Sequence, residues 1–170
     1  VHAETSTGVC SDVETLCAIG KKHGCLVIVD AVTSLGGIPL KVDEWKADAV
    51  YSGSQKCLSC TPGLSPVTFS EEAAEYIRNR ESKVQSWFLD LNLVMGYWGE
   101  GAKRAYHHTA PINALYGLHE ALLLLHEEGL EAAHQRHVAM HAMLRDGLNG
   151  IGIEFLVDPE YQLPQLSSVI

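Results

Sequence analysis

The sequence predicts an α/β fold: a mostly parallel sheet flanked by helices, followed by the start of a small α+β domain. Three observations predict it. A capped amphipathic helix leads directly into Cys25-Leu-Val-Ile-Val29, a β-branched run apolar on both faces that ends at Asp30. Such a strand suits a parallel sheet covered by helices. Helix and strand patterns then follow one another with short links as far as residue 80. Beyond Gly129 the order changes to a long helix followed by an alternating segment, which marks a second unit. The expected domains are 1–128 and 129–170, and both ends of the chain read as cut.

Ser11-Asp-Val-Glu14 has the spacing of a capping box, in which the Ser hydroxyl and the Glu carboxylate each satisfy a free backbone N–H. Val13, Leu16, Cys17 and Gly20 then share one face, and Gly24 suits the residue after a helix end, so a helix over 12–23 is predicted. Leu35-Gly-Gly-Ile-Pro39 punctuates the chain as a turn. Asp48-Ala-Val-Tyr51 and Pro66-Val-Thr-Phe69 read as further strands, separated by the Pro62-Gly63 turn. Ser70 caps a helix from Glu71 to about Arg80.

Residues 82–105 read as aromatic and irregular, with Trp87, Phe88, Tyr97 and Trp98 among glycines. A long helix begins at Pro111, with Leu115, Leu118, Leu122 and Leu125 as its buried stripe. Gly129 interrupts it. A second helix over 130–148 carries Val138, Met140 and Leu144, and 151–157 alternates like a strand.

Composition excludes several classes of function. Twelve Lys and Arg against 21 Asp and Glu give a net charge of −9 with no basic block, which argues against nucleic acid or anionic membrane as partner. No run approaches the ~20 apolar residues of a membrane helix. Five cysteines, an odd number in a chain long enough to fold without staples, favour a reducing compartment, and the cytoplasm is the expected location, with peroxisome or mitochondrion as the alternative in a eukaryote. Cys57-Leu-Ser-Cys60 lacks the second knuckle of a zinc ribbon and runs into Pro62-Gly63, so it is read as structural thiols rather than a redox or metal motif. His134, His137 and His141 share a helix face, but the outer pair stands about 10 Å apart at 1.5 Å per residue, too far for one ion. They are read as a solvated or interface face.

Two ionisable residues occupy equivalent places. Asp30 ends one strand and Lys56 lies just beyond another. In open parallel sheets, ligands bind outside the carboxyl ends of the strands. By spacing alone, a turn-capping Asp and a solvated Lys would explain both.

The words around them carry more. Val29-Asp-Ala-Val-Thr-Ser-Leu-Gly-Gly37, Tyr51-Ser-Gly-Ser-Gln-Lys56, His2-Ala-Glu-Thr-Ser-Thr-Gly8 and Tyr106-His-His-Thr-Ala-Pro111 all stand in the chain. Together they resemble the alanine–glyoxylate (serine–pyruvate) aminotransferases, pyridoxal-phosphate enzymes of fold type I. The resemblance implies the second half of that family's cofactor-binding large domain. It also implies that Lys56 holds pyridoxal 5'-phosphate as a Schiff base, as an amine can once its pKa is depressed. Asp30 then pairs with the pyridinium nitrogen and keeps it protonated. Thr5, where many relatives have Ser, bonds the phenolic oxygen, and Gln55 lies near the phosphate. Tyr106 and Thr109 reach the phosphate in the partner subunit of a homodimer.

The implied reaction is ping-pong transamination between a small amino acid (alanine or serine) and a keto acid (glyoxylate or pyruvate), with Lys56 as anchor and then general acid/base. The family's phosphate-binding glycine turn and ring-stacking aromatic fall before Val1, and its substrate-carboxylate arginine beyond Ile170. The resemblance thus implies a chain of ~380–400 residues, more than one domain's length. His107 and His108 are expected to pack near the cofactor, and Trp87 and Phe88 to fill the dimer interface. The rival readings are a lyase of the same fold, of cysteine desulfurase or kynureninase type, and a non-catalytic dimer-forming relative. Desulfurases commonly carry His where this chain has Gln55.

Overall fold

A computed structural model describes residues 1–98 and 105–170. A two-stranded antiparallel hairpin, β1 (Ala3–Glu4) with β2 (Val9–Cys10), precedes helix α1 (Val13–Lys22). A three-stranded sheet follows, with β3 (Ile28–Asp30) parallel to β4 (Ala49–Tyr51) and β4 antiparallel to β5 (Val67–Phe69). Helices α2 (Glu71–Arg78), α3 (Leu91–Trp98), α4 (Ile112–Glu128) and α5 (Leu130–Gly150) complete the order, and a single 3-10 turn at Pro159–Tyr161 precedes the last segment.

The α/β alternation agrees with the sequence pattern, with local differences. The α1 cap is Asp12 rather than Ser11: the Asp12 carboxylate accepts from Thr15 N–H at 3.0 Å, one register later than the capping box expected. Both residues offer an acceptor three positions ahead of a free N–H, and the point where the chain enters the helix decides between them. Ser70 caps α2 as expected, accepting from Ala73 N–H. Among the described residues parallel pairing holds for β3–β4 only, because the chain returns to β5 from the same end of the sheet. Strand β3 is covered on one face rather than two: Val29 is 3% exposed and Ile28 70%.

Residues 91–98, expected to be irregular, form α3, while 99–104 lie outside the described residues. The segment 151–157 forms no strand; it meets the last segment through an isolated bridge, Phe155 to Val169, and through Gln162 Nε2, which donates to Val157 O at 2.7 Å. In α4, Leu115, Leu118 and Leu125 of the expected stripe are half-buried, whereas Leu122 is exposed and its neighbour Ala121 is the buried residue. Val138, Met140 and Leu144 on α5 are likewise exposed.

The core lies between α1 and the sheet, where Val13 and Cys17 pack against Val29, Ala31, Ala47 and Val50. Burying each valine side chain contributes about 1.5–3 kcal/mol. Asp48 pins the same elements by charge. Its buried carboxylate accepts from Lys21 Nζ (2.8 and 3.0 Å), from Val27 N–H (2.7 Å) and from Ser70 Oγ (3.0 Å). Burial alone would raise the Asp48 pKa, but these donors outweigh it and hold the carboxyl below its ordinary value.

A depressed carboxyl contributes stability above the unfolded-state pKa and loses it as pH falls through the folded value. Asp48→Asn should therefore cost about 2–3 kcal/mol at neutral pH, read from urea unfolding, since it leaves Lys21 short of a partner. The gap between variant and wild type should narrow below about pH 4, where the unfolded chain takes up the proton first and the folded carboxyl only at lower pH. An equal gap at pH 7 and pH 3 would show that the charge contributes nothing.

Candidate active site

Asp30 and Tyr51 are register partners on the parallel strands β3 and β4, so their side chains emerge side by side at the carboxyl ends. The Tyr51 hydroxyl donates to Asp30 Oδ2 at 2.7 Å, and Val32 N–H donates to Asp30 Oδ1 at 2.9 Å. A carboxylate accepts about four hydrogen bonds, so each oxygen retains capacity for a donor from outside. The Asp30 bond raises the Tyr51 pKa, which keeps the phenol protonated as a donor.

The hairpin β1–β2 is tied to the same place through its backbone. His2 N–H donates to Asp30 O at 2.9 Å, and Ser11 N–H donates to His2 O at 2.9 Å. The His2 ring is buried and meets Trp45 edge-on at 5.3 Å, and burial lowers its pKa. This anchoring carries Thr5 to the strand ends, where its Oγ1 lies 2.8 Å from Thr33 Oγ1. Thr5 is exposed and Thr33 is buried.

Beyond β4, small buried residues let the chain fold tightly under Lys56. Ser52, Gly53 and Ser54 are all buried. Ser52 Oγ donates to Ala31 O (3.0 Å), Ser54 Oγ donates to Thr61 O (2.6 Å), and Ser59 N–H closes a turn on Lys56 O (2.9 Å). Gly37 permits the approach of this loop to the one after β3: a Cβ there would stand 2.7 Å from Cys57 Sγ. Gly36, at φ +86°, supplies the left-handed turn that precedes it.

Lys56 opens onto a cleft of about 300 Å³, lined also by Thr33, Cys57, Ser59, Arg136, His137, Gln165 and Leu166. The cleft lies between the loops at the strand ends, helix α5 and the last segment. Arg136 is held by Glu128 through Nη2 to Oε2 at 2.9 Å. Burial lowers the His137 pKa, and Arg136 lowers it further. Burial pushes the Cys57 thiol up, against the pull of Lys56. Gln165 Nε2 donates to Thr33 O at 2.9 Å, while its Oε1 is buried without a hydrogen-bond partner.

The structure thus joins Thr5 and Lys56 through Thr33, and sets Asp30 at the head of the same loop. It does not bring in the others. Gln55 is exposed and lies outside the lining of the cleft. Tyr106 and Thr109 bond each other through their hydroxyls, both exposed and both away from that lining. His107 is buried, with Nε2 2.9 Å from Trp87 O and its ring against Trp87. His141 sits 3.0 Å from Gln162 Oε1 and 3.3 Å from Ser167 Oγ, a contact with the last segment. All five cysteines are free thiols. No described helix is long and apolar enough to cross a membrane.

Sequence reasoning missed Tyr51, Thr33 and Gln165, and it read His137, which lines the cleft, as part of a solvated or interface face. The first two stand inside the motifs that begin at Tyr51 and Val29, but no periodicity sets them apart. Chemically, the site offers one amine, one carboxylate with spare acceptor capacity and a paired hydroxyl. This set suits a cofactor with an electrophilic carbon, a protonated ring nitrogen and a ring oxygen.

The model of the class-V aminotransferase family matches residues 1–170 of the chain. An alanine–glyoxylate aminotransferase of Oryctolagus cuniculus is 41% identical over 173 residues, covering 99% of this chain and 44% of the relative. The (S)-ureidoglycine–glyoxylate transaminase of Bacillus subtilis is 35% identical over 187 residues, with the same coverage of 99% and 44%. The crystal structure of an alanine–glyoxylate aminotransferase from Nostoc sp. superposes with a TM-score of 0.94 at 48% identity, over 99% of this chain and 44% of that one. The chain therefore spans a little under half the length of the relatives it matches.

Proposed function

Because the chain belongs to the class-V aminotransferase family, we propose that the protein containing it transfers an amino group between a small amino acid, alanine or serine, and a keto acid, glyoxylate or pyruvate, using pyridoxal 5'-phosphate. The observation that carries the proposal is the position of Lys56, whose side chain lines a cleft at the carboxyl ends of parallel strands with Thr33 in the same wall. The relatives' printed activities, alanine–glyoxylate and ureidoglycine–glyoxylate transamination, support glyoxylate as an acceptor.

When bound, pyridoxal phosphate supplies an electron sink for negative charge at the substrate α-carbon. The chain's residues do the rest. Lys56 Nζ would hold the cofactor covalently and, as a free amine, would take up the substrate α-proton as a base and return it as an acid. Asp30 holds the proton on the ring nitrogen through a lone pair that Tyr51 and Val32 leave free. Thr5 donates its hydroxyl to the ring oxygen. Gln55 would approach the phosphate, and Tyr106 and Thr109, which lie outside the Lys56 cleft, would hold the phosphate of the second subunit's cofactor in a homodimer.

The test is borohydride reduction of the full-length protein followed by peptide mapping. A pyridoxyl group on Lys56, with pyruvate formed from alanine and glyoxylate, is expected. Absence of the group from Lys56 would sink the proposal, and sulfide or alanine release in place of keto-acid formation would favour a lyase. Tyr51→Phe should weaken cofactor retention by about 3- to 10-fold, the loss of one partly exposed hydrogen bond to a carboxylate. Equilibrium dialysis against pyridoxal phosphate reads this directly, and unchanged affinity would remove Tyr51 from the site.

A further inference from the structure

Thr33 is a buried hydroxyl whose one described partner is another hydroxyl. Its Oγ1 lies 2.8 Å from Thr5 Oγ1, and Thr33 is 4% exposed whereas Thr5 faces solvent. The distance allows either hydroxyl to be the donor. Burial decides the direction. Were Thr5 to donate inward, the Thr33 proton would be shut in with no acceptor, which is costly for a buried O–H. Were Thr33 to donate outward, every proton is placed, and the Thr5 proton is turned toward the ligand side.

The same residue is held rigidly. Its carbonyl accepts from Gln165 Nε2 at 2.9 Å and from Cys57 Sγ at 3.4 Å, so the last segment and the neighbour of Lys56 both fix where Thr33 stands. A hydroxyl that accepts one hydrogen bond becomes a stronger donor in the next.

We infer that Thr33 is a positioning residue: it donates to Thr5 and thereby orients and strengthens Thr5 as the hydrogen-bond donor to the ring oxygen of bound pyridoxal phosphate. This rests on the function proposed above. A stronger donor stabilises negative charge on the ring oxygen and so lowers the affinity of the attached cofactor for its proton. The role is electrostatic and differs from a packing role in what it moves.

The experiment is a pH titration of the cofactor's long-wavelength absorption band in the full-length protein. Thr33→Val, which keeps the shape and removes the hydroxyl, should raise the midpoint by about 0.5 pH units, about threefold in proton affinity. Thr33→Ser should restore the wild-type midpoint. Thr5→Val should raise it at least as far, and adding Thr33→Val to Thr5→Val should have no further effect, because the relay acts only through Thr5.

Equal midpoints in wild type and Thr33→Val, or additive shifts in the double variant, overturn the inference while leaving Lys56 as the anchor. If Thr33→Val does not fold, Thr33→Ala with Thr33→Ser as its control supplies the same comparison. A wild-type protein that carries no such band overturns this inference together with the proposed function.

Discussion

Lys56→Ala in the full-length protein is expected to lower the transamination rate by about 10⁴-fold or more and to abolish the cofactor's visible absorption. Two roles are lost at one atom. General acid–base catalysis alone is worth about 10²–10⁴-fold, and loss of covalent attachment adds to it. The structural cost should be small, because Lys56 is exposed and the turn beneath it is closed by backbone and by Ser54 rather than by the lysine side chain. Lys56→Arg separates charge from nucleophilicity. Its guanidinium stays protonated and so serves neither role, and its rate should fall as far as that of the alanine variant. Single-turnover kinetics with alanine reads both variants. A residual rate within tenfold of wild type would place the anchor and base elsewhere.

Asp30→Asn is expected to lower the rate by about 10²–10³-fold, equivalent to about 3–4 kcal/mol of transition-state stabilisation. The change keeps the size of the side chain and an acceptor oxygen, so the bonds from Tyr51 and Val32 and the strand end they organise can persist. What disappears is the negative charge that, on the proposed function, would keep a ring nitrogen protonated. The loss should therefore fall on kcat more than on KM, since ring protonation matters most when charge develops at the substrate carbon. A variant with unchanged kcat and only a raised KM would show that Asp30 serves binding alone. On the proposed function the two effects differ in kind as well as size: Lys56 would move the proton, whereas Asp30 would set how well the resulting charge is tolerated.

Both residues are legible in the sequence because each sits inside a strongly worded local motif. Asp30 follows a β-branched run, and Lys56 closes Tyr51-Ser-Gly-Ser-Gln-Lys56. Local signals of this kind also place α1, α2, β3, β4 and β5 to within a few residues. They fail where two local solutions compete or where the partner is distant. Asp12 displaces Ser11 as the α1 cap because both present an oxygen to a free N–H at similar cost. Helix α3 is hidden by its aromatic and glycine content, which reads as loop when neighbours are ignored. The alternation at 151–157 has the period of a strand but finds a single bridge with two backbone hydrogen bonds rather than a ladder, because the stretch that would pair with it is not encoded locally.

By itself, then, the sequence determined the α/β class, the order of α1, β3, β4, β5 and α2, and the identity of the carboxylate and amine at the strand ends. It could do so because those features depend on periodicity, capping and short words that act over a few residues. The tertiary structure alone decided that Tyr51 bonds Asp30, that Thr33 bonds Thr5 across 28 positions, and that Gln165 reaches Thr33 across 132. The physical reason is distance along the chain. A hydroxyl or amide gains a partner only where folding closes a loop and excludes water, and no local pattern encodes which distant residue will be there.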